Sequence, residues 1–305
     1  MQIHRHWKNG DAPGASVALG NFDGVHLGHR AVIDQARGLG SLGVVTFEPH
    51  PRQFFAPEAA PFRLMNAPAR AHELAKLGVE HLFELPFGAE MAAFSPEGFA
   101  KTVLRDGLGV AHVTVGQDFC FGKNRQGRAQ DLRDLGAELG FGVTIAELVD
   151  LEGQAISSTA IRAALTEGQP ARAAAMLGHW HAIEGEVIHG AKRGREFGYP
   201  TANMNLPGLH LPRIGVYAVL VDILTGPQQG RYKGAASLGV RPMFGENTPN
   251  LETFIFDFDG DLYGHHLSVS LVEYLRPELK FDGLQALLDH MAADCQRARV
   301  ILAAT

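Results

Sequence analysis

Apolar residues in the first half of the chain fall in short runs separated by stretches with helical spacing. Runs at 15–19, 42–47, 81–85, 112–115 and 143–147 predict strands, and helices are expected between them near Ala31, Ala71, Glu97 and Leu132. Such alternation implies a parallel sheet covered on both faces, with ligands bound at the carboxyl ends of its strands. Gly20 and Gly116 each follow a predicted strand, so the loops they begin are expected to open on one crevice. A helical stretch at 171–177 is expected to close this half.

The pattern changes after Ile183. Short β-rich runs at 216–224, 232–238, 253–258 and 267–274 are separated by turn residues such as Gly226-Pro227 and Asp259-Gly260. Regular short strands of this kind argue for an antiparallel barrel or sandwich. Leu284, Leu287, Leu288, Met291, Cys295 and Ala298 then recur at helical spacing, which predicts an amphipathic helix capping the barrel, with Cys295 as a core residue. The boundary is placed near Ala182, giving domains at 1–182 and 183–305.

Composition agrees with two domains. A chain of 305 residues that is 46% hydrophobic has enough apolar material for two ordinary cores. Its formal charge of -6 offers no basic footprint for nucleic acid. The two cysteines, Cys120 and Cys295, make no disulfide framework, and no apolar run is long enough to span a membrane. The opening residues, Met1 to Trp7, lack the apolar centre of a signal peptide. These features lead us to expect a cytoplasmic protein with no membrane partner, and they are compatible with a homo-oligomer.

Candidate chemistry concentrates in a few strings. Gly20-Asn21-Phe22-Asp23-Gly24-Val25-His26-Leu27-Gly28-His29 joins a predicted strand to a predicted helix. Its glycines permit close backbone approach, and the helix start presents unpaired N–H groups to an anion. His26 and His29, three residues apart, share one side of the first turn and suit a phosphate; a metal pair or two surface histidines are the alternatives. Ser157, Ser158 and Thr159 precede a second apolar helix that carries Arg162 on its first turn, which reads as an anion receptor or as an ordinary capped helix. In the second half, Gly190, Gly194 and Gly198 are interleaved with cations in a string that reads as a phosphate-wrapping loop or as a flexible basic loop. Thr201 and Asn203, both oxygen donors, follow it.

Together these strings resemble the prokaryotic bifunctional riboflavin kinase/FAD synthetase family. The resemblance extends through Thr46-Phe47-Glu48-Pro49-His50-Pro51, Val115-Gly116-Gln117-Asp118-Phe119-Cys120-Phe121-Gly122, Gly198-Tyr199-Pro200-Thr201-Ala202-Asn203, Asp261-Leu262-Tyr263-Gly264 and Leu275-Arg276-Pro277-Glu278. It implies a Rossmann-like nucleotidylyltransferase domain with a parallel sheet, then an antiparallel β-barrel riboflavin kinase domain with a terminal helix. The implied reactions are phosphorylation of riboflavin by ATP to FMN, and adenylylation of FMN by ATP to FAD and pyrophosphate.

By resemblance, His26 and His29 serve the ATP phosphates, with Gly20, Asn21, Asp23 and Gly28 lining the same turn. Ser157, Ser158, Thr159 and Arg162 are assigned to the outgoing pyrophosphate, Asp118 to the flavin or nucleotide pocket, and Arg276 to the flavin. Thr201 and Asn203 would hold Mg²⁺ with ATP, a sparse ligand set of the kind that ion accepts, and Glu252 would be the base for the ribityl hydroxyl. Read without the resemblance, Glu252 is an ordinary strand glutamate, Asp118 a loop cap and Arg276 a surface ion pair. His50 and Arg52 are further phosphate candidates, or turn residues.

Two departures stand out. Met243 occupies a position where the family carries a hydroxyl, and Cys120, read here as a small buried filler, replaces a longer polar side chain. Met243 leaves an alternative in which the chain is an FMN adenylyltransferase only and the barrel a flavin-binding regulatory module.

Overall fold

The predicted strands of the first half all form, and a further one joins them at the edge. The computed structural model describes residues 1–8, 10, 12–147, 149–151, 154–190, 198–243 and 246–305. These pack as two compact units, one of residues 1–60 with 70–157 and the other of 61–69 with 158–305.

In the first unit six strands pair in the order Gln2–His4, His81–Pro86, Leu42–Glu48, Ser16–Leu19, His112–Gly116 and Gly142–Ala146, every pair parallel. Gln2–His4 is too short and too polar to announce itself by periodicity; it forms because its backbone completes the edge beside His81–Pro86. Ser16–Leu19 and Leu42–Phe47 are buried throughout, as central parallel strands must be. Helices Leu27–Gln35, Ala67–Lys76, Phe99–Leu108 and Ala129–Leu139 lie close to the expected positions. Val17, Leu19, Val45, Phe83, Val113, Val115 and Leu132 contribute to the main core.

The strand order reverses between Ser16–Leu19 and His112–Gly116, which are neighbours reached by opposite directions of travel along the sheet. Such a switch point opens a crevice at the carboxyl ends. The loops beginning at Gly20 and Gln117 leave from there.

The second unit contains a six-stranded antiparallel sheet in the order His181–Glu186, His266–Arg276, Gly215–Ile223, Gly230–Met243, Glu246–Ile255 and Thr201–Asn205. It curls so that its ends approach through an Ile188–Asn203 bridge, with the Ile188 N–H donating to the Asn203 carbonyl at 2.8 Å. Alternation then sorts the side chains. Met204, Tyr217, Val219, Leu238, Leu251 and Val269 fill the concave side, whereas Val216, Ala218, Ala235 and Val272 face outward.

Two expectations are corrected here. Rather than capping an open end, the terminal helix Leu284–Ala303 covers the outer face of the sheet. It buries Ala298 and Leu302 against that face, while its first residue, Leu284, stays exposed. The sheet's outward apolar stripe is large enough to need covering, and the interior is already filled by its own side chains. Cys295 joins this outer cluster at its margin, and burial raises its thiol pKa to about 11. The helix at 171–177, observed as Pro170–Leu177, belongs to the second unit instead of closing the first, and packs on His181–Glu186 and His266–Arg276.

His181, only 3% exposed, starts the first strand of this sheet. Burial, reinforced by His179 and His210, lowers its pKa from 6.5 to about 3. Over that interval the unfolded chain takes up a proton that the folded chain refuses, so stability declines as pH falls from about 6.5 toward about 3. Thermal melts across this range are expected to show a shallower decline for His181→Gln than for the parent; an equal slope would contradict the assignment.

Candidate functional site

Each unit carries a polar constellation, and each is built by the local backbone. In the first, the loop after Ser16–Leu19 is wound tightly, with Phe22, Gly24 and Val25 at φ of 51°, 93° and 43°. For phenylalanine and β-branched valine such values are costly, and strain of this kind gathers at sites where geometry must be held. Nothing in the sequence marks Phe22 or Val25 for this conformation.

The outcome is a fixed pair of imidazoles. His26 is the N-cap of Leu27–Gln35, and its Nδ1 accepts the His29 backbone N–H at 3.2 Å. With Nδ1 so used, the neutral ring carries its hydrogen on Nε2, where it can serve a ligand. The two rings stack 3.6 Å apart with 16° between their planes. Burial, together with the neighbouring His26, pushes the His29 pKa well below its usual 6.5, and the buried His29 Nδ1 has no hydrogen-bond partner among the described residues. Gly28 allows this arrangement, since a Cβ there would lie 3.1 Å from His26 Nδ1.

Other expected residues surround this turn. Asn21 is exposed, and its carbonyl accepts the Thr46 hydroxyl at 3.1 Å; Asp23 is buried. A Cβ on Gly20 would meet the Phe22 ring at 3.4 Å. The carbonyl of Ile156 comes within 4.0 Å of the Cβ position of Gly28, so the segment ending at Ser157 approaches the histidine turn inside this unit. His50 caps helix Pro51–Phe55, its Nδ1 accepting the Arg52 N–H at 3.0 Å. Asp118 is exposed, with Oδ1 3.1 Å from where a Gly116 Cβ would stand, so it folds back over its own turn. Cys120 is partly exposed instead of a buried filler, and Arg128 Nη1 lies 2.9 Å from its sulfur.

A feature that no motif announced sits at the same sheet edge. Arg70, 1% exposed, bonds Glu84 at 2.7 Å and Glu48 at 3.0 Å, tying together the carboxyl ends of two adjacent strands. Helical spacing marks Arg70 only as one polar residue on its helix, so sequence alone could not find it.

Ser158, Thr159 and Arg162 belong to the second unit, on helix Ser158–Thr166. Arg162 is half-buried, and its Nε donates to the Phe62 carbonyl at 2.6 Å, with the guanidinium over the Phe62 ring at 5.5 Å.

The second constellation lies on the outward face of the curled sheet. Asn203 and Glu252 are directly paired across Thr201–Asn205 and Glu246–Ile255, and Glu252 pairs in turn with Ser237. Thr201, two residues from Asn203, shares its face. Asn203 is 5% exposed, and its Nδ2 donates to the Thr201 carbonyl at 3.2 Å. Its Oδ1 is buried with no hydrogen-bond partner among the described residues. A buried acceptor in this state can take a hydrogen bond from water or coordinate a cation. Gly190 packs directly on this amide, because a Cβ there would lie 2.5 Å from Asn203 Oδ1.

Of the other expected residues, Gly198 has φ of 80° with nothing among the described residues within 4 Å of a Cβ placed there, and Gly194 lies outside the described residues. Arg276 pairs with Asp294 of the terminal helix, Nη2 to Oδ2 at 2.7 Å and Nε to Oδ1 at 3.1 Å. Among the described residues no group of three or more His, Cys, Asp or Glu forms a metal cage. A sparse Thr201–Asn203 oxygen pair, one member of which is an unsatisfied buried acceptor, fits Mg²⁺ with its remaining ligands from water and phosphate.

Comparison with known proteins also divides the chain in two, although the first match includes residues 61–69, which pack in the second unit. Residues 8–160 match the model of the FAD synthetase family, and residues 177–302 that of riboflavin kinase. A bifunctional riboflavin kinase/FMN adenylyltransferase of Pseudomonas fluorescens is 40% identical, over 95% of this chain and 94% of its own length. The Escherichia coli K12 protein of the same name is 38% identical, over 94% and 92%. A solved Streptococcus pneumoniae structure titled as a macrolide-efflux protein is 31% identical with a TM-score of 0.83, covering 98% of this chain and 99% of that one. Among the described residues, no helix here is long and apolar enough to cross a membrane. With two family models in tandem and relatives aligned along nearly the whole length, the chain belongs to the bifunctional riboflavin kinase/FMN adenylyltransferase family.

Proposed function

We propose that this protein makes FAD in two steps, phosphorylating riboflavin to FMN and then adenylylating FMN, with ATP as the donor each time. The observation that carries this reading is the presence of two separate polar constellations, the histidine turn within the span matched as FAD synthetase and the Thr201, Asn203 and Glu252 group within that matched as riboflavin kinase. We assign FMN adenylyltransferase to residues 1–182 and riboflavin kinase to 183–305, and place the enzyme in the cytoplasm.

For the kinase step, Glu252 accepts the proton of the ribityl 5′-hydroxyl as that oxygen attacks the γ-phosphorus of ATP and the bond to the β-phosphate oxygen breaks. Thr201 and Asn203 would hold Mg²⁺, which when bound neutralises phosphate charge. Gly190, Gly194 and Gly198 are assigned to the phosphate-wrapping loop, and Arg276, whose guanidinium is paired with Asp294, to the flavin side. A methyl group at Gly190 would displace the Asn203 amide. Gly190→Ala is therefore expected to lower riboflavin phosphorylation by about tenfold, with FMN adenylylation unchanged; equal rates for parent and variant would remove Asn203 from the site.

For the adenylyl step, an FMN phosphate oxygen attacks the α-phosphorus of ATP and pyrophosphate leaves. Both reactants are anions, so the protein's work is alignment and charge stabilisation. His26 and His29 serve the ATP phosphates from the turn built by Gly20, Asn21, Asp23 and Gly28. Ser157, Ser158, Thr159 and Arg162 take the departing pyrophosphate, and Asp118 serves the flavin or nucleotide pocket.

Incubation of the purified protein with riboflavin, ATP and Mg²⁺, with flavins resolved by chromatography, tests the proposal. FMN should appear first and FAD after it. FAD formed only from added FMN would reduce the barrel to a binding module.

A further inference from the structure

The arginine assigned to pyrophosphate does not stand on the histidine-bearing unit. Helix Ser158–Thr166 and segment 61–69 both pack in the unit that carries the antiparallel sheet. The loop between Thr201–Asn205 and Gly215–Ile223, well inside the region matched as riboflavin kinase, bonds to both that segment and that helix. Leu209 bridges to Arg63, and the His210 N–H donates to the Arg63 carbonyl at 2.8 Å. The Arg213 N–H donates to the Leu165 carbonyl at 2.9 Å, and the Arg213 guanidinium stacks on Tyr274 at 4.8 Å.

The imidazole of His210 completes the grip. Its Nε2 lies 3.1 Å from the carbonyl oxygen of Arg162 and 3.1 Å from the Thr166 hydroxyl oxygen. The Thr166 hydroxyl is 2.9 Å from that same carbonyl. A carbonyl only accepts, so Nε2 must carry a hydrogen, which a neutral imidazole supplies. One residue therefore fixes Arg162 from two directions. Its side chain bonds the backbone from which Arg162 springs, and its backbone holds the Phe62-Arg63 segment whose Phe62 carbonyl takes the Arg162 Nε hydrogen.

We propose that His210 is a positioning residue for adenylyl transfer, supplied by the kinase-matching half of the chain, which fixes the backbone and guanidinium of Arg162. The inference rests on the assignment of Arg162 to that step. Misplacing a charge-stabilising group by a fraction of an ångström lowers turnover while leaving the binding of the other substrate largely intact.

The test uses the full-length protein and compares parent, His210→Ala, His210→Gln, Arg162→Ala and the Arg162→Ala/His210→Ala double variant. His210→Ala is expected to reduce kcat for FMN to FAD by about tenfold, with KM for FMN and riboflavin phosphorylation unchanged and the melting temperature lowered slightly by the lost hydrogen bonds. Glutamine, whose amide N–H can stand near the position of Nε2, should restore most of the loss. In the Arg162→Ala background the His210 change should add nothing, because both act through one guanidinium. Full multiplication of the two losses would overturn the proposal, as would an equal fall in both reactions, or normal FAD synthesis by His210→Ala when Arg162→Ala is impaired. Normal FAD synthesis by Arg162→Ala itself would instead overturn the assignment of Arg162, and the proposal with it.

Discussion

Replacing Glu252 with alanine is expected to lower FMN formation from riboflavin by about 10²–10⁴-fold, the usual contribution of a positioned general base. An alcohol is a poor nucleophile until its proton has somewhere to go. In the proposed assignment Glu252 takes that proton; it lies directly across the strand pair from Asn203, on the outward face that Thr201 shares. Glu252→Gln keeps the shape and removes the basicity, so it should fail nearly as badly. Neither change should slow conversion of FMN to FAD. Melting curves must stay near the parent's for the loss to be read as chemical; a well-folded Glu252→Ala that still phosphorylates riboflavin would remove this residue from the mechanism.

The opposite pattern is expected of His29→Ala: FAD formation from FMN falls by about 10²–10³-fold while riboflavin phosphorylation persists. Pentavalent charge at the α-phosphorus needs donors already in place, and the proposal assigns these to the stacked His26–His29 pair at the start of a helix. Because the His29 pKa is held well below 6.5 by burial and by His26, the ring stays neutral across the physiological range. The sign follows directly: protonation of His29 does not shape the rate between pH 6.5 and 8, so the parent's FAD synthesis should show no step near 6.5 that His29→Ala removes. A step lost with His29 would mean that the cationic ring is the active form.

Sequence patterning reached most of the scaffold because both sheets obey simple periodicities. Continuous apolar runs such as Val44-Val45 and Leu82-Phe83 mark strands buried on two faces, and the alternation through Tyr217-Ala218-Val219 marks a strand sorted between a filled interior and a covered exterior. The same alternation shows why Thr201, Asn203 and Glu252 lie together: all three are outward positions on paired strands. Position in space was less legible wherever the partner was distant in sequence. Gln2–His4 becomes a strand only because His81–Pro86 offers an edge, and 61–69 leaves its neighbours for the other unit through backbone bonds to Leu209 and His210. The terminal helix could be recognised by spacing, but its seat on the outer face depends on Val216, Ala218 and Val272, none of which announces its direction locally. Arg70 and His210 are ordinary polar residues in the string and become important only through carboxylates and carbonyls that folding brings to them.

The most direct test of two independent sites on one chain is complementation between the two inactive variants. Glu252→Ala and His29→Ala are each incubated alone with riboflavin, ATP and Mg²⁺, and then mixed in equal amounts, with flavins resolved by chromatography. The account predicts unchanged riboflavin with the first, FMN without FAD with the second, and FAD from the mixture, as FMN released by one protein is adenylylated by the other. FAD from either variant alone, or a mixture in which FMN accumulates while Glu252→Ala still converts added FMN, would contradict it.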